Sequence, residues 1–477
     1  MDNKTRPLPK PSHIHLMGIC GVAMSSLAGM LTERGYTVTG SDQNTYPPIS
    51  TFLESLSISV DQGYSPSHLH PRPDLVVVGN VITRDNPEAE ELVKLGIPYL
   101  SMPQALRRFV MKGKKSIVIA GTHGKTTVSA LTAWILEAAG MDPSFMIGGI
   151  AKNFYRNFKL GQGRHFVIEG DEYDTAFFDK SPKFLHYAPY LAAITNIEFD
   201  HADIYAAIEE IEDSFGQLIG IVQEGGALCA NVDDSRIAKL IQKSGRPCVT
   251  FAIEGHADFT LGDTSSQDEK AELTVNRQGK EYLKTASDLL GNHNIYNILA
   301  AIALASSAGI PRETIAGAIN TFQGVKRRLE TLGTYHGITV VDDFAHHPTA
   351  VRETIQAVRA RYKDKRLIAV FEPRSNSSRR NIFQDAYAAS FEGADVVILP
   401  EPPMMEKIPP QERFSSAKLA RDLNGQGTEA HYFLNTKDLL DGILTLAREG
   451  DVILIMSNGA FDNIQQRLIE DLKAGSV

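Results

Sequence analysis

Short runs of Val, Ile and Leu alternate with longer amphipathic stretches along most of the chain. The runs are continuous rather than alternating, which is typical of parallel strands covered on both faces. Their alternation with helical patterns predicts an α/β fold. The predicted strands are His13–Met17, Thr37–Ser41, Leu75–Gly79, Ser116–Ala120, His165–Glu169, Leu191–Asn196, Ala227–Asn231, Ile338–Asp342, Leu367–Phe371, Val396–Leu399 and Val452–Met456.

Two polar breaks predict three domains. One break, Met111–Lys115, precedes a strong strand, and the other, Gln323–Arg328, follows a helical stretch. Three domains agree with a prior of roughly 150 residues per domain. The polar segment 254–284 predicts a small antiparallel excursion within the second domain. The predicted domains are residues 1–112, 113–324 and 325–477.

The composition excludes several classes of protein. Hydrophobic residues at 43% and charged residues at 22% exclude a disordered or fibrous chain. The net charge of −9 argues against non-specific nucleic-acid or anionic-membrane binding, and no run reaches the roughly 18 apolar residues of a membrane span. Cys20, Cys229 and Cys248 form no CxxC pair, so we expect reduced thiols and a cytoplasmic location.

A glycine-rich loop follows the strand at 116–120. It reads Gly121-Thr122-His123-Gly124-Lys125-Thr126-Thr127 and leads into a helical run. Strand, turn and helix direct backbone N–H groups at an anion, so this segment predicts a nucleotide phosphate site. Lys125 could reach the β- and γ-phosphates, and the Thr126 hydroxyl could hold Mg²⁺. Two residues separate the glycines instead of four, which disfavours a motor protein or GTPase.

Two acidic clusters, residues 169–174 and 195–203, also follow predicted strands. Ligands of open α/β sheets bind at the carboxyl ends of the strands, so both clusters should lie near the phosphate loop. Glu169 is a candidate Mg²⁺ ligand, and His201 could offer a nitrogen to a second ion. Alternatively, these are solvated loops in which an aspartate such as Asp200 caps a helix.

The first predicted strand runs into Gly18-Ile19-Cys20-Gly21-Val22, and Ser41-Asp42 ends the second strand. The turn is one glycine short of a dinucleotide-binding fingerprint. The Asp42 carboxylate could bind a ribose or another sugar hydroxyl. A Rossmann-like domain with no ligand at this turn is the alternative, and Cys20 is expected to be a small turn residue rather than a nucleophile.

The last third of the chain contains further polar candidates. Asn292 and Asn297 could read an adenine edge or could cap the helix that begins there. The basic cluster 326–330 could bind a ligand or could be a solvated linker. Three strand ends suggest a binding face in the third sheet, although a histidine there could be structural. These strand ends are residues 342–348, 372–376 and 457–460.

Together these motifs resemble the Mur ligase family, the ATP-dependent amide-forming enzymes of peptidoglycan synthesis. The resemblance extends from Gly18 to Gly459. It implies three domains: an N-terminal Rossmann-like UDP-binding domain, a central P-loop ATPase-like domain and a C-terminal Rossmann-like domain that receives the peptide. The motifs that carry it are Gly-Thr-His-Gly-Lys-Thr, Glu-Gly-Asp-Glu, Thr-Asn-Ile-Glu-Phe-Asp-His, Gly-Asn-His-Asn-x-x-Asn, Arg-Arg-Leu-Glu and Asp-Asp-Phe-Ala-His-His-Pro.

The resemblance also implies roles for individual residues. Lys125, Glu169, His201 and Arg328 would act in catalysis. Gly18, Ile19, Cys20, Gly21, Val22, Ser41 and Asp42 would bind the UDP moiety, and His346, His347 and Arg374 would lie near the peptide. Thr126, Glu169 and His201 would ligate two Mg²⁺ ions. The ATP site would comprise Gly121, Thr122, His123, Gly124, Lys125, Thr126, Thr127, Asn292, His293, Asn297, Arg328 and Asp343, with Asp343 on the ribose.

Within the family, the chain resembles most a branch that joins UDP-N-acetylmuramate to the tripeptide L-alanyl-γ-D-glutamyl-meso-diaminopimelate. Segments 18–21, 46–48, 172–180 and 372–376 carry this finer match. Free L-alanine as the acceptor is the alternative. Several family members use a carbamylated lysine after the Asp-His motif, but no lysine occurs here between Asp200 and Lys239, so that group is expected to be absent.

Two hypotheses from other classes compete with a ligase. A nicotinamide-dependent oxidoreductase would account for the first glycine turn but not for residues 121–127. A non-enzymatic P-loop switch or scaffold would account for the phosphate loop but not for the loops that contain Glu169 and His201.

Overall fold

The computed structural model describes residues 11–47, 49–267 and 270–475. It has three α/β units, each built on a mostly parallel sheet, so the predicted fold class is confirmed. Pro48, which belongs to the segment 46–48 cited for the acceptor branch, lies outside the described residues.

The N-terminal unit has a five-stranded parallel sheet. Its strands are β1 His13–Met17, β2 Thr37–Asp42, β3 Ser59–Gln62, β4 Leu75–Val78 and β5 Tyr99–Ser101, and its helices are α1 Val22–Glu33, α2 Ile49–Ser55, α3 Pro87–Lys94 and α4 Met102–Ala105. The order is β3-β2-β1-β4-β5, so the turn after β1 lies at the point where the strand order reverses. Open α/β sheets bind their ligands at such a point.

The central unit has a ten-stranded sheet and a separate hairpin, β10 and β11. Its order is β17-β16-β15-β14-β13-β12-β6-β9-β7-β8, and antiparallel β15 to β17 confirm the predicted excursion. The strands are β6 Lys115–Ala120, β7 Ser144–Ala151, β8 Arg156–Lys159, β9 His165–Gly170, β10 Asp174–Ala176, β11 Asp179–Pro182, β12 Leu191–Ile194, β13 Ala227–Asn231, β14 Cys248–Ala252, β15 Phe259–Gln267, β16 Lys270–Arg277 and β17 Lys280–Ser287. The helices are α5 Lys125–Ala138, α6 Ile208–Gly220, α7 Ser235–Ser244, α8 Asn292–Ser307 and α9 Arg312–Asn320.

The third unit has a six-stranded sheet in which only the pair β18 and β19 is antiparallel. Its order is β18-β19-β23-β20-β21-β22. The strands are β18 Glu330–Tyr335, β19 Ile338–Asp343, β20 Leu367–Phe371, β21 Val396–Pro400, β22 Glu429–Phe433 and β23 Val452–Met456. The helices are α10 Pro348–Arg361, α11 Gln384–Ser390, α12 Ser416–Gly425, α13 Thr436–Leu446 and α14 Ile464–Lys473.

The first two units share one hydrophobic core, whereas the third unit has cores of its own. One cluster contains Ile14 and Leu31 of the first unit together with Phe158 and Phe166 of the central unit. The Asn157 side chain also donates to the Ser26 hydroxyl at 2.9 Å across this junction. The third unit has clusters of its own on the two faces of its sheet. Among the described residues, no helix is both long and apolar enough to cross a bilayer.

Candidate active site

The phosphate loop, residues 121–127, connects β6 to the start of α5. Gly124 precedes the helix with a φ of +85°. A Cβ at this position would overlap the Asn297 side chain, so only glycine allows α8 to lie this close to the loop. The first N–H groups of a helix have no partner within it, and together with the helix dipole they attract an anion.

Asn196, just beyond β12, holds the phosphate loop in shape. Its carbonyl accepts the Thr122 N–H at 3.0 Å, and its side-chain oxygen accepts the His123 N–H at 2.8 Å. The neighbouring Thr195 hydroxyl donates to the His123 carbonyl at 2.6 Å. The loop is therefore ordered before it meets a ligand, which lowers the entropic cost of binding.

The Lys125 ammonium is held by a buried carboxylate. Its Nζ donates to the two Glu172 oxygens at 2.9 and 3.2 Å and to the Gly121 carbonyl at 2.6 Å. The Glu172 side chain is only 2% exposed. Burial opposes the charge, but Glu172 and Asp171 raise the pKa of Lys125 above its ordinary value. Glu172 is thus the counter-ion of this lysine.

Glu169 lies at the end of β9 beside Thr126. Its Oε2 accepts the Thr126 hydroxyl at 3.2 Å and its Oε1 accepts the Gly148 N–H at 2.6 Å. Burial raises the pKa of Glu169, against the opposing effects of the Gly148 amide and Arg328. Two oxygen ligands at right angles around Mg²⁺ lie about 2.9 Å apart, so the pair of Thr126 and Glu169 fits this ion after a small movement.

Arg328 reaches from the third unit to Thr126, beside this carboxylate. Its Nη2 donates to the Thr126 hydroxyl at 3.3 Å, and its charge faces Glu169 and Asp343. The guanidinium carbon lies 4.8 Å from the centre of the Phe344 ring. The solvated-linker alternative is therefore wrong for Arg328.

His201 belongs to a second group of donors. Its Nε2 lies 3.2 Å from Glu172 Oε1, and the ligand atoms of these two residues and Asp171 are within 4.8 Å of one another. The three predicted metal ligands therefore divide between two places, Thr126 with Glu169 and His201 with Glu172. The group around His201 combines a nitrogen ligand with carboxylate oxygens, and Lys125 already neutralises the Glu172 carboxylate. This group therefore fits Mg²⁺ less well than Thr126 and Glu169 do.

Ser377 of the third unit binds the loop that contains His201. The Ser377 hydroxyl donates to Asp200 at 2.6 Å and lies 3.1 Å from the His201 N–H, which donates to it. Asp200 caps no helix, because α6 begins at Ile208 after Ala207. The helix-cap alternative is therefore wrong for Asp200.

The predicted adenine residues lie on the first two turns of α8. Gly291 precedes this helix, which has no side-chain cap, so the cap alternative for Asn292 and Asn297 is wrong. Asn297 lies against the phosphate loop, whereas Asn292 is exposed. The Nδ1 of His293 is buried and has no hydrogen-bond partner, and burial lowers the pKa of His293 to about 4.

Asp343 is 5% exposed and is bonded within the third unit. Its carboxylate accepts the N–H groups of Leu329 and Ala345, both at 2.7 Å, and the Thr354 hydroxyl at 3.2 Å. These bonds hold the turn that carries Arg328. The predicted contact between Asp343 and a ribose remains a prediction.

A cavity of about 350 Å³ lies between the central and third units. His346 and Arg374 line it, as do Asp200 and His201 from the central unit. A Cβ at Gly459 would overlap the Arg374 side chain, so this glycine makes room for the arginine. Further lining residues are Tyr173, Ser375, Asn376, Ser377, Arg379, Met404 and Asn458.

His347 faces a different group of side chains from its neighbour. Its Nδ1 accepts the Thr349 N–H at 3.3 Å and lies 3.4 Å from a Glu198 oxygen, and its Nε2 lies 3.2 Å from the Phe199 carbonyl. The sequence predicts both histidines near the peptide. The structure puts His346 on the cavity and His347 at the start of α10.

The first glycine turn is held by the end of β2. Gly18 N–H donates to the Ser41 carbonyl at 2.8 Å, and Cys20 N–H donates to Asp42 at 2.9 Å. Ile19 is buried, whereas Gly21 and Val22 are exposed at the edge of the sheet. Burial and then Asp42 raise the pKa of Cys20 to about 11, which agrees with the expectation that this thiol is no nucleophile.

Glu88, on α3, supports this turn and was not identified from the sequence. It is fully buried and accepts the Ser41 hydroxyl at 2.8 Å and His15 at 2.8 Å. Glu172 and Asn196 were also missed as individual residues, although both lie in motifs that the sequence analysis identified. Their position directly after strands was the available signal.

Family models match nearly the whole of this architecture. Residues 13–113 match the model "Mur ligase family, catalytic domain", residues 119–305 the "Mur ligase middle domain" and residues 327–459 the "Mur ligase, glutamate ligase domain". The chain belongs to the Mur ligase family and is an ATP-dependent, amide-bond-forming ligase. The oxidoreductase and the non-enzymatic switch are therefore rejected.

Within the family, the chain is similar to ligases whose names give two different acceptors. The chain is 40% identical over 464 residues to the UDP-N-acetylmuramate–L-alanyl-gamma-D-glutamyl-meso-2,6-diaminoheptandioate ligase of Escherichia coli (strain K12), covering 96% of this chain and 98% of the relative. The crystal structure of a murein peptide ligase from Psychrobacter arcticus 273-4 is 35% identical, with a TM-score of 0.73 and coverage of 97% and 98%. A UDP-N-acetylmuramate–L-alanine ligase of Desulfatibacillum aliphaticivorans is 35% identical, with coverage of 94% and 96%.

Proposed function

We propose that the protein joins the lactyl carboxylate of UDP-N-acetylmuramate to the α-amine of L-alanyl-γ-D-glutamyl-meso-diaminopimelate, at the expense of ATP, in peptidoglycan recycling. The observation that carries this proposal is the 40% identity to the Escherichia coli ligase with this specificity over almost the full length of both chains. The convergence of a phosphate loop, a cross-domain arginine and an arginine-lined cavity supports it.

The donor substrate would lie at the edge of the first sheet. The turn Gly18–Val22 and the pair Ser41-Asp42 would bind the UDP moiety, with the turn held in shape by the Asp42 carboxylate. UDP-sugars and ATP are cytoplasmic metabolites, so we place the enzyme in the cytoplasm.

In the first step the lactyl carboxylate would attack the γ-phosphorus of ATP, giving an acyl phosphate and ADP. Lys125 would exchange Glu172 for the phosphate oxygens, because its ammonium already points into the loop. Thr126 and Glu169 would hold Mg²⁺, with His201 and Glu172 at a second ion, and the metal charge would offset that of the phosphates.

The adenine end of ATP would lie against α8, next to Asn297 and the half-buried His293, whose lowered pKa keeps the ring neutral at pH 7. Arg328 would approach the γ-phosphate from the third unit, since its guanidinium already meets the Thr126 hydroxyl. Asp343 would then affect the nucleotide mainly indirectly, because its bond to the Leu329 N–H holds the turn that carries Arg328.

In the second step the amine would attack the acyl carbon and expel phosphate. The peptide would occupy the cavity of about 350 Å³, with a carboxylate on the Arg374 guanidinium and with His346 nearby. The surrounding polar groups of both units would orient the amine and exclude water from the acyl phosphate.

The test compares acceptors in a coupled assay of ADP release with UDP-N-acetylmuramate and ATP. We expect kcat/KM for the tripeptide to exceed that for L-alanine by at least about tenfold, or about 1.4 kcal/mol, because an extended acceptor offers more binding energy. Arg374→Ala should raise the KM for tripeptide much more than that for ATP. A preference for L-alanine would instead support the second candidate function, that of the alanine ligase. The chain is also 35% identical to one such enzyme.

A further inference from the structure

Three side chains meet at the junction between the central and third units, apart from the proposed Mg²⁺ ligands. They are His123 of the phosphate loop, Glu198 beyond β12 and His347 before α10. One Glu198 oxygen lies 3.4 Å from His123 Nε2 and 3.4 Å from His347 Nδ1. The ligand atoms of all three residues lie within 4.8 Å of one another.

The hydrogen bonds of His347 define its protonation. Its Nε2 faces the Phe199 carbonyl at 3.2 Å and must carry the proton, while Nδ1 accepts the Thr349 N–H in a long bond of 3.3 Å. This is the one lone pair that Nδ1 offers, so a metal bound there would replace the long Thr349 contact. The Glu198 oxygen 3.4 Å from Nδ1 marks the side on which such a cation would lie.

The His123 Nε2 atom is buried and faces the same Glu198 oxygen at 3.4 Å, a long contact in place of a full hydrogen bond. The Thr349 hydroxyl donates to this carboxylate at 2.7 Å and orients it.

The two distances that involve Glu198, both 3.4 Å, match a tetrahedral transition-metal site. Zn–N and Zn–O bonds of 2.0–2.2 Å at the tetrahedral angle place neighbouring ligand atoms about 3.3–3.6 Å apart. The bond from His347 Nε2 to a backbone carbonyl is the usual support of a metal-binding histidine. Two imidazoles favour Zn²⁺ over Mg²⁺, which prefers oxygen ligands.

We propose that His123, Glu198 and His347 bind a divalent transition metal, with Zn²⁺ as the representative ion, and leave its fourth position open to water. His123 and Glu198 belong to the central unit and His347 to the third, so the complete site exists only while the two units are together. Metal binding would therefore stabilise the contact between them.

The test uses the full-length protein freed of metal, without nucleotide or acceptor. Zn²⁺ affinity is measured by competition with a chromophoric chelator, and Co²⁺ reports the geometry through its visible absorption. We expect His347→Ala and Glu198→Gln each to weaken Zn²⁺ binding by at least about 100-fold, the upper end of what the loss of a supporting residue costs. Both should also lose the tetrahedral Co²⁺ spectrum.

The matched control is His201→Ala, which removes a histidine from the other donor group, near Glu172. This variant should keep the Zn²⁺ affinity and the Co²⁺ spectrum. In wild type and in this control, Zn²⁺ should raise the unfolding temperature, and in His347→Ala it should not.

The proposal is overturned if His347→Ala and Glu198→Gln bind Zn²⁺ as tightly as wild type, or if the tight site disappears in His201→Ala. The Gln variant keeps the shape of the side chain, so it remains informative if the Ala variant misfolds. Because no substrate is present, either result is independent of the ligase activity.

Discussion

Replacing Arg328 with alanine tests how the third unit contributes to catalysis. The guanidinium crosses the junction to the Thr126 hydroxyl, and its charge faces the half-buried Glu169 and the buried Asp343. Its removal would leave both carboxylates without this cation. It would also remove a positive charge beside the phosphate loop, where charge develops during phosphoryl transfer.

The size of the effect follows from these contacts. Removing one preorganised electrostatic group typically costs about 10²–10³ in rate, or roughly 2.7–4 kcal/mol. We therefore expect kcat/KM for ADP formation with Arg328→Ala to fall by about 10²–10³, measured with saturating UDP-N-acetylmuramate and tripeptide and varied ATP.

The neighbouring Arg327 provides the matched control. It bonds to Asp342 at 3.2 Å and to the Ser457 carbonyl at 2.6 Å, and it lies over the same Phe344 ring as Arg328, at 5.5 Å. All of these partners belong to the third unit. Arg327→Ala should lower the stability of that unit, as the loss of other polar contacts does. At temperatures where the variant is folded, its kcat/KM should stay within about threefold of wild type. Equal losses in the two variants, or full activity in Arg328→Ala, would refute the reasoning.

Three further substitutions probe separate parts of the structure. Lys125→Ala should reduce ADP formation by at least about 10² with the circular dichroism unchanged, and activity within threefold of wild type would contradict its assignment. Glu169→Gln should raise the Mg²⁺ concentration for half-maximal turnover about tenfold and lower turnover, since an anionic oxygen ligand is lost, whereas an unchanged titration would make Glu169 structural. Burial, aided by Arg164 and Lys115, lowers the pKa of His165 from 6.5 to about 4, so the unfolded chain takes up the proton first, and this residue alone should lower the unfolding free energy by about 2–3 kcal/mol between pH 7 and 4.5. In urea denaturation at these two pH values, His165→Asn should lose less stability than wild type by that amount, and the same pH dependence as wild type would show that His165 keeps its proton in the fold.

The buried strands could be predicted from the sequence because parallel strands covered on both faces are continuous apolar runs. All eleven predicted strands are present, and β20, for example, has the predicted bounds and is buried throughout. The strands that were missed lie mostly at sheet edges. β3 is Ser-Val-Asp-Gln and largely exposed, and β18 is a partly exposed antiparallel strand, so neither has the pattern of a buried strand.

The candidate site was predictable in its location but not in its pairings. The strand-end motifs meet at one edge, because parallel strands bring their carboxyl ends together. Which side chains pair there depends on distances that no motif specifies: Lys125 takes Glu172 as its partner, and His347 turns away from the cavity that His346 lines. Glu88 was missed because a glutamate on a short amphipathic helix is usually exposed, whereas this one is fully buried.

The shared hydrophobic core of the first two units has a consequence for the geometry of the reaction. Because one cluster packs Ile14 and Leu31 with Phe158 and Phe166, the turn at residues 18–22 and the phosphate loop lie on two units that pack as one body. In the proposed reaction, the distance between the donor carboxylate and ATP would then be set when the chain folds. Among the described residues, the third unit meets that body through polar contacts such as the one from Ser377 to Asp200, which break more easily than a core. Because Arg328 crosses the same junction, opening it would withdraw this cation from the first step and the acceptor from the second, while the donor and ATP would keep their separation.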